Sequence, residues 1–281
     1  MDAKDEGSHE NPPRRTWARA RRHIEAATLP VLGLVVVLGF FELAPRIGVL
    51  PRSSFPPISE IFTSLGDQLT TSELWRAIRD TLDAWARAML IAMLIAIPLG
   101  MAIGASRAGQ LASRVTIEFL RPIPSVALIP VLVLVFGTRP SLKITLAVFG
   151  ATFPLLFQAM YGVADVDPVA KDTARAFGLR RLARLRRVVL PAAAPFLATG
   201  LRISASVALI LVVTGEYIVG VPGLGEQVFL AQNGGAFDRM YALIVAAGLL
   251  GVFLNLGFYA IERRVLFWHP SHRPRDTGVG P

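Results

Sequence analysis

Apolar residues in this chain come in long blocks, not in the alternation of a surface strand or the one-sided stripe of a soluble helix. Six blocks approach the ~20 apolar residues that a bilayer core asks of a helix, and they predict spans at Leu29–Pro45, Trp85–Ala105, Val115–Gly137, Leu142–Val163, Phe196–Gly220 and Met240–Ile261. The first block is short. The third holds Pro122, Pro124 and Pro130, each of which removes a backbone donor, so that span is expected to be kinked or to start late. Between the first two blocks, Pro51, Pro56 and Pro57 open a stretch in which Ile58, Ile61, Phe62, Leu65 and Leu69 recur at helical spacing. That pattern predicts an amphipathic helix lying on the membrane or against the bundle. A more polar stretch, Ser72–Asp80, leads into the second block, and Pro191 is expected to break the chain before the fifth.

Composition points the same way. Of 281 residues, 53% are hydrophobic and 17% charged, and mean hydropathy is +0.52, which argues against disordered, collagenous and soluble-enzyme classes. With no cysteine there are no disulfides, thiolate nucleophiles, iron–sulfur clusters or cysteine zinc sites. The net charge of +9 takes its meaning from where the cations fall. If the N-terminus is cytoplasmic, nineteen Lys and Arg lie on that side against seven outside, with Arg87, Arg121 and Arg202 inside spans. This is a positive-inside distribution with both termini cytoplasmic. The cluster Arg14–Arg22 is then explained by topology and lipid headgroups, and nucleic acid is not an expected partner. Glu42–Arg46 makes a poor leader-cleavage site, so the first block is read as a retained anchor.

The expected organisation is all-α and multi-pass. A basic tail (1–27) precedes the first span and external segment (28–80). A membrane core (81–265) with a cytoplasmic loop (164–191) follows, then a second tail (266–281).

That loop is the informative segment, because about 28 residues exceed a simple turn. Asp167 can cap a helix with Pro168 in its first position. Val169, Ala170, Thr173, Ala174 and Phe177 are expected along one face, and Gly178 ends the helix. Next, Leu179, Leu182 and Leu185 oppose Arg180, Arg181, Arg184 and Arg187 in a second amphipathic segment. Helicity and charge alone leave a docking element and a solvated loop equally open.

The residue pattern narrows this. Asp172-Thr173-Ala174, Gly178 and Val188-Val189-Leu190-Pro191 resemble, with matching spacing throughout, the cytoplasmic signature of ABC-importer permeases: Glu-Ala-Ala, three residues, Gly, nine residues, Ile-x-Leu-Pro. Asp replaces Glu, Thr the first Ala, and Val the Ile. Pro56–Glu60, Ile97–Gly100, Arg121–Pro124, Ala127–Pro130, Phe136-Gly137, Gly200–Arg202 and Glu216 are similar to the nitrate/sulfonate/taurine group of that family. Ala84 stands where the group carries arginine, with Arg87 one turn later.

The resemblance implies the type I importer permease (MetI-like) fold in a bacterial inner (plasma) membrane. It also implies a homodimer, an ATPase subunit carrying ATP and Mg, and an external solute-binding protein. Asp172, Thr173, Ala174, Gly178, Leu190 and Pro191 would form the ATPase-coupling element, and the solute would be a small anion such as a sulfonate, nitrate or taurine.

The chain carries no phosphate-binding Gly-x-x-x-x-Gly-Lys-Ser/Thr loop, so it is not expected to be an enzyme. Gly220–Gly225 and Gly234-Gly235 read as flexible external turns. No metal site is expected, since His9, His23, His269 and His272 all lie in the tails. Charged groups in or near spans are functional candidates, here Glu42, Arg87, Glu118, Arg121, Arg202 and Glu216. For Arg121 and Arg202 the alternatives are substrate contact, snorkelling and pairing with Glu118. Gln158, Thr214 and Asn255 are uncharged candidates for the pathway. The competing class is an ATP-independent transporter or channel, but a secondary carrier should show two corresponding halves, and none are visible.

Overall fold

The computed structural model describes residues 14–120 and 123–267, with side chains from Leu29 onward except Pro30 and Arg114. The regular elements described are all helical. In chain order they are α1 (Arg14–Arg46), α2 (Ile58–Leu69), α3 (Ser72–Gly104), α4 (Arg107–Leu120), α5 (Ile129–Phe136), α6 (Pro140–Ala164), α7 (Pro168–Ala176), α8 (Arg181–Arg184), α9 (Leu190–Val219), α10 (Leu224–Asn233) and α11 (Phe237–Val265). The chain divides into two units, Met1–Thr63 and Ser64–Pro281.

In the first unit α1 contains the expected first span. From Val31 to Leu43 its large apolar side chains are exposed, the surface a helix offers to lipid. Near its end the Glu42 carboxylate accepts from the Ser59 backbone N–H at 2.9 Å and the Ser59 hydroxyl at 3.0 Å.

The second unit is built on α3, α6 and α9. Along α3 every fourth residue is small and buried: Ala84, Ala88, Ala92, Ala96, Gly100 and Gly104. On α6 Ala147, Ala151, Leu155 and Ala159 are buried in turn. Small residues at this spacing let two backbones meet, which is how helices associate where lipid removes the hydrophobic drive. The approach leaves no slack: a Cβ on Gly100 would lie 2.6 Å from the Leu156 carbonyl oxygen, and one on Gly104 2.5 Å from that of Met160. Two polar side chains fix the third helix. Ser204 Oγ donates to the Ala151 carbonyl at 2.7 Å, and Trp85 Nε1 to that of Ala205 at 2.9 Å. Much of α11 stays open, with Leu249, Val252, Phe253 and Leu256 exposed.

Among the described residues four helices are long and apolar enough to cross a membrane: α3, Arg181–Val219, α6 and α11. A fifth arises if the pair Arg107–Leu120 and Ser125–Phe136, bent by 76°, is one span. The third block is therefore not a single rod, in line with its prolines. Its second half opens with a 3-10 turn at Ser125–Leu128.

The polar stretch Ser72–Asp80 leads into the second block as expected and forms the first part of α3, capped by Thr71, whose side chain accepts from the Leu74 N–H. Two expectations are corrected. Pro191 does not break the chain: it sits in the first turn of α9, where its missing donor costs least. The turn before it, Leu185–Val189, is a π turn closed by the Leu190 N–H to the Leu185 carbonyl, so Arg181–Val219 runs on as one helix. Finally, Gly220–Gly223 and Gly234-Gly235 do form turns, but Leu224 and Gly225 already belong to a helix, α10, which fills the segment between them.

Candidate functional site

The loop between α6 and α9 folds as its residues dictate. The Asp167 carboxylate accepts from the Val169 N–H at 2.8 Å and caps α7. At the other end the Gly178 N–H reaches the Arg175 carbonyl at 2.9 Å and the Leu179 N–H reaches that of Ala174 at 3.0 Å, the paired bonds of a Schellman stop. Gly178 has φ +73°, a left-handed conformation that penalises any side chain with a Cβ.

The expected common face of α7 is split. Ala174 is buried and Ala170 half-buried, whereas Val169, Thr173 and Phe177 are exposed, Phe177 at 78%. The reason is the short seat. Val163, Val166 and Val189 form a small apolar cluster at this end of the bundle, and a nine-residue helix rests there on alanine, leaving its larger apolar groups outward. Lys171 Nζ donates to the Val163 carbonyl at 3.1 Å and ties α7 to the end of α6. Asp172 is exposed and pairs with Arg175 at 2.9 Å. Leu190 is half-buried, and Pro191 is exposed.

The polar candidates separate into three places. Arg202, Thr214 and Asn255 line one cavity of about 460 Å³ between α9 and α11, where Arg202 lies 3.5 Å from Glu262. Gln158 lines another of about 380 Å³, together with Ser125, Phe153 and Tyr161. Glu216 lies in neither.

Instead the Glu216 carboxylate accepts from Lys143 Nζ at 2.7 Å, from the Thr81 hydroxyl at 2.9 and 3.0 Å, and from the Gly225 N–H at 3.0 Å. Lys143 also donates to the Pro222 carbonyl at 2.6 Å. The Thr81 hydroxyl accepts from the Leu224 N–H at 3.0 Å. One buried node thus joins α3, α6, α9 and the start of α10, at the end of the bundle opposite α7. It leaves no room at Gly223, where a Cβ would lie 2.1 Å from the Glu216 carboxylate.

Glu118 is exposed on α4. Arg121 lies outside the described residues, as do His9, His269 and His272. Arg202 pairs with Glu262. Arg87 is exposed beside Asp83 at 3.0 Å and does not take up the buried position of Ala84.

Sequence reasoning missed Lys143 and Thr81 and counted Lys143 among the external loop charges. The available signal was a lysine two residues inside a strongly apolar block.

A family profile described as the inner-membrane component of binding-protein-dependent transport systems matches residues 88–267. The chain belongs to this family. The permease is 30% identical to the taurine transport system permease protein of Escherichia coli strain K12, over 90% of this chain and 92% of that one. It is 29% identical to the nitrate import permease protein of Leptolyngbya laminosa, over 68% and 69% of the two chains. Its fold matches the inward-facing MetNI methionine ABC transporter with a TM-score of 0.60 at 20% identity, covering 69% of this chain and 96% of that one. A bacterial ABC transporter importing the polysaccharide alginate matches at 0.58 and 16% identity, over 90% and 99%. The permease is thus a multi-pass inner-membrane transport subunit of an ABC importer with the MetI-like fold.

Proposed function

We propose that this permease forms the pathway for a small anion of the sulfonate, taurine or nitrate kind, and takes its energy from a separate ATPase seated on α7. The observation that carries the coupling role is the form of α7. It is a short helix stopped at both ends, anchored by Ala174 and Lys171, and it presents Val169, Asp172, Thr173 and Phe177 outward. Such a helix is a rigid lever with an apolar tip. Leu190 and Pro191 open the helix that receives its movement.

In this reading α7 faces the cytoplasm and both termini lie on that side. Two copies of the chain enclose the pathway, an external binding protein delivers the solute, and ATP with Mg is held by the partner ATPase. Each copy contributes the cavity bearing Ser125, Gln158 and Tyr161, whose uncharged polar groups let an anion pass without trapping it. Arg202, already facing Glu262, is a poor anchor for a substrate carboxylate or sulfonate. The expected domain limits at 27 and 80 fall inside α1 and α3 and, in this reading, mark where those helices enter the membrane, while 265 is the end of α11.

The test is reconstitution of the permease in vesicles with its ATPase and binding protein, followed by solute uptake and ATP hydrolysis. Phe177→Asp and Asp172→Arg should release the ATPase and abolish ATP-driven uptake. Uphill uptake by the permease alone, or unchanged assembly in both variants, overturns the reading.

A further inference from the structure

Next to α7 lies a cavity of about 190 Å³ lined by Lys171, Arg175, Arg181 and Arg184. Its remaining lining is apolar, including Met101, Val163 and Val189, and no carboxylate takes part. The cations are poorly neutralised. Lys171 has the neutral Val163 carbonyl as its partner, and Arg175 shares the exposed Asp172. Arg181 and Arg184 have no ion-pair partner among the described residues. Like charges around one concavity repel, and an anion placed among them relieves that repulsion. Guanidinium forks match phosphate oxygens two at a time.

The place of the cavity selects the kind of phosphate. It sits where α3 and α6 end and the long helix from Arg181 begins, at the depth where spanning helices leave the hydrocarbon and headgroups lie. A free anion has no use for the apolar walls, whereas the glycerol and first methylenes of a lipid fill them. We propose that this cavity binds the phosphate headgroup of an anionic phospholipid such as phosphatidylglycerol. Because Lys171 and Arg175 come from α7 and Arg181 and Arg184 from α8, a bound headgroup ties the short helix to the root of the long one. This inference does not depend on the coupling role of α7.

The experiment uses the full chain, purified and placed in phosphatidylcholine nanodiscs with or without phosphatidylglycerol. Retained lipid is read by native mass spectrometry and stability by the unfolding midpoint. Phosphatidylglycerol should be retained and raise the midpoint, and R181Q/R184Q should weaken retention by about tenfold or more. R186Q/R187Q removes the same charge from exposed positions outside the cavity and should retain the lipid as the parent does. Lys171→Gln supplies a second variant should the first not fold, with reduced retention expected. Equal loss in both double variants would mean general surface attraction and overturns the proposal. So does an equal rise in midpoint from inorganic phosphate alone, which would make this a free-anion site. Protection of these arginines by a bound ATPase in lipid-free detergent would assign them to that protein and likewise overturns it.

Discussion

Lys143 Nζ lies 2.7 Å from Glu216 Oε1, with the two side chains only 3% and 0% exposed. A charge withdrawn this far from solvent survives only with its partner and with hydrogen bonds for its remaining atoms. Both conditions are met through Thr81, Gly225 and Pro222.

Removing one partner should therefore be far worse than removing both. Lys143→Ala or Glu216→Gln alone is expected to cost about 3–5 kcal/mol, while Lys143→Met together with Glu216→Leu should retain most of the stability. The unfolding midpoint of the purified permease in detergent reads this directly. Single variants as stable as the parent would show that the node holds nothing together.

Gly104→Ala should destabilise by about 1–3 kcal/mol, the cost of forcing an extra carbon into a packed interior, because its methyl would meet the Met160 backbone at 2.5 Å. Gly248→Ala, with nothing within 4 Å of the new carbon, should stay within about 0.5 kcal/mol of the parent. The same thermal measurement separates them.

At Gly178, valine should add about 1–2 kcal/mol of backbone strain in the left-handed conformation, and asparagine should be tolerated. Amide hydrogen exchange at Leu179, whose N–H closes the stop, should accelerate with valine alone. In reconstituted vesicles Gly178→Val is expected to lower uptake per ATP hydrolysed, and full coupling in that variant would count against a lever.

Gln158→Leu is expected to slow solute uptake by roughly tenfold, the factor that about 1.4 kcal/mol makes, while leaving the assembly with the ATPase intact. Leucine at Asn255, which lines the other cavity, should leave uptake near the parent rate. A reversed result would move the pathway to the space between α9 and α11.

How much of this was legible depended on which force wrote it. Apolar blocks located α3, α6, α9 and α11, because a bilayer demands them locally. The block at Trp85 missed the true start of α3 at Ser72 because hydropathy marks the part of a helix that meets lipid, not the helix itself. The stops at Asp167 and Gly178 were readable because capping is decided within three or four residues. The partnership of Lys143 and Glu216 was not, since 73 residues separate them and only the packed bundle brings them together. Nor was α10, a ten-residue helix: Gly223 just before it and Gly225 within it look like punctuation but serve close approach to Glu216.

The uninterrupted run from Arg181 to Val219, 39 residues, has a mechanical consequence. At 1.5 Å per residue it is a boom of about 58 Å, so a tilt of only about ten degrees about its foot would swing its tip by about 10 Å over that length. Pro195 and the π turn at Leu185–Val189 are its two points of give; while they hold, a small nudge at one end is delivered, enlarged, at the other.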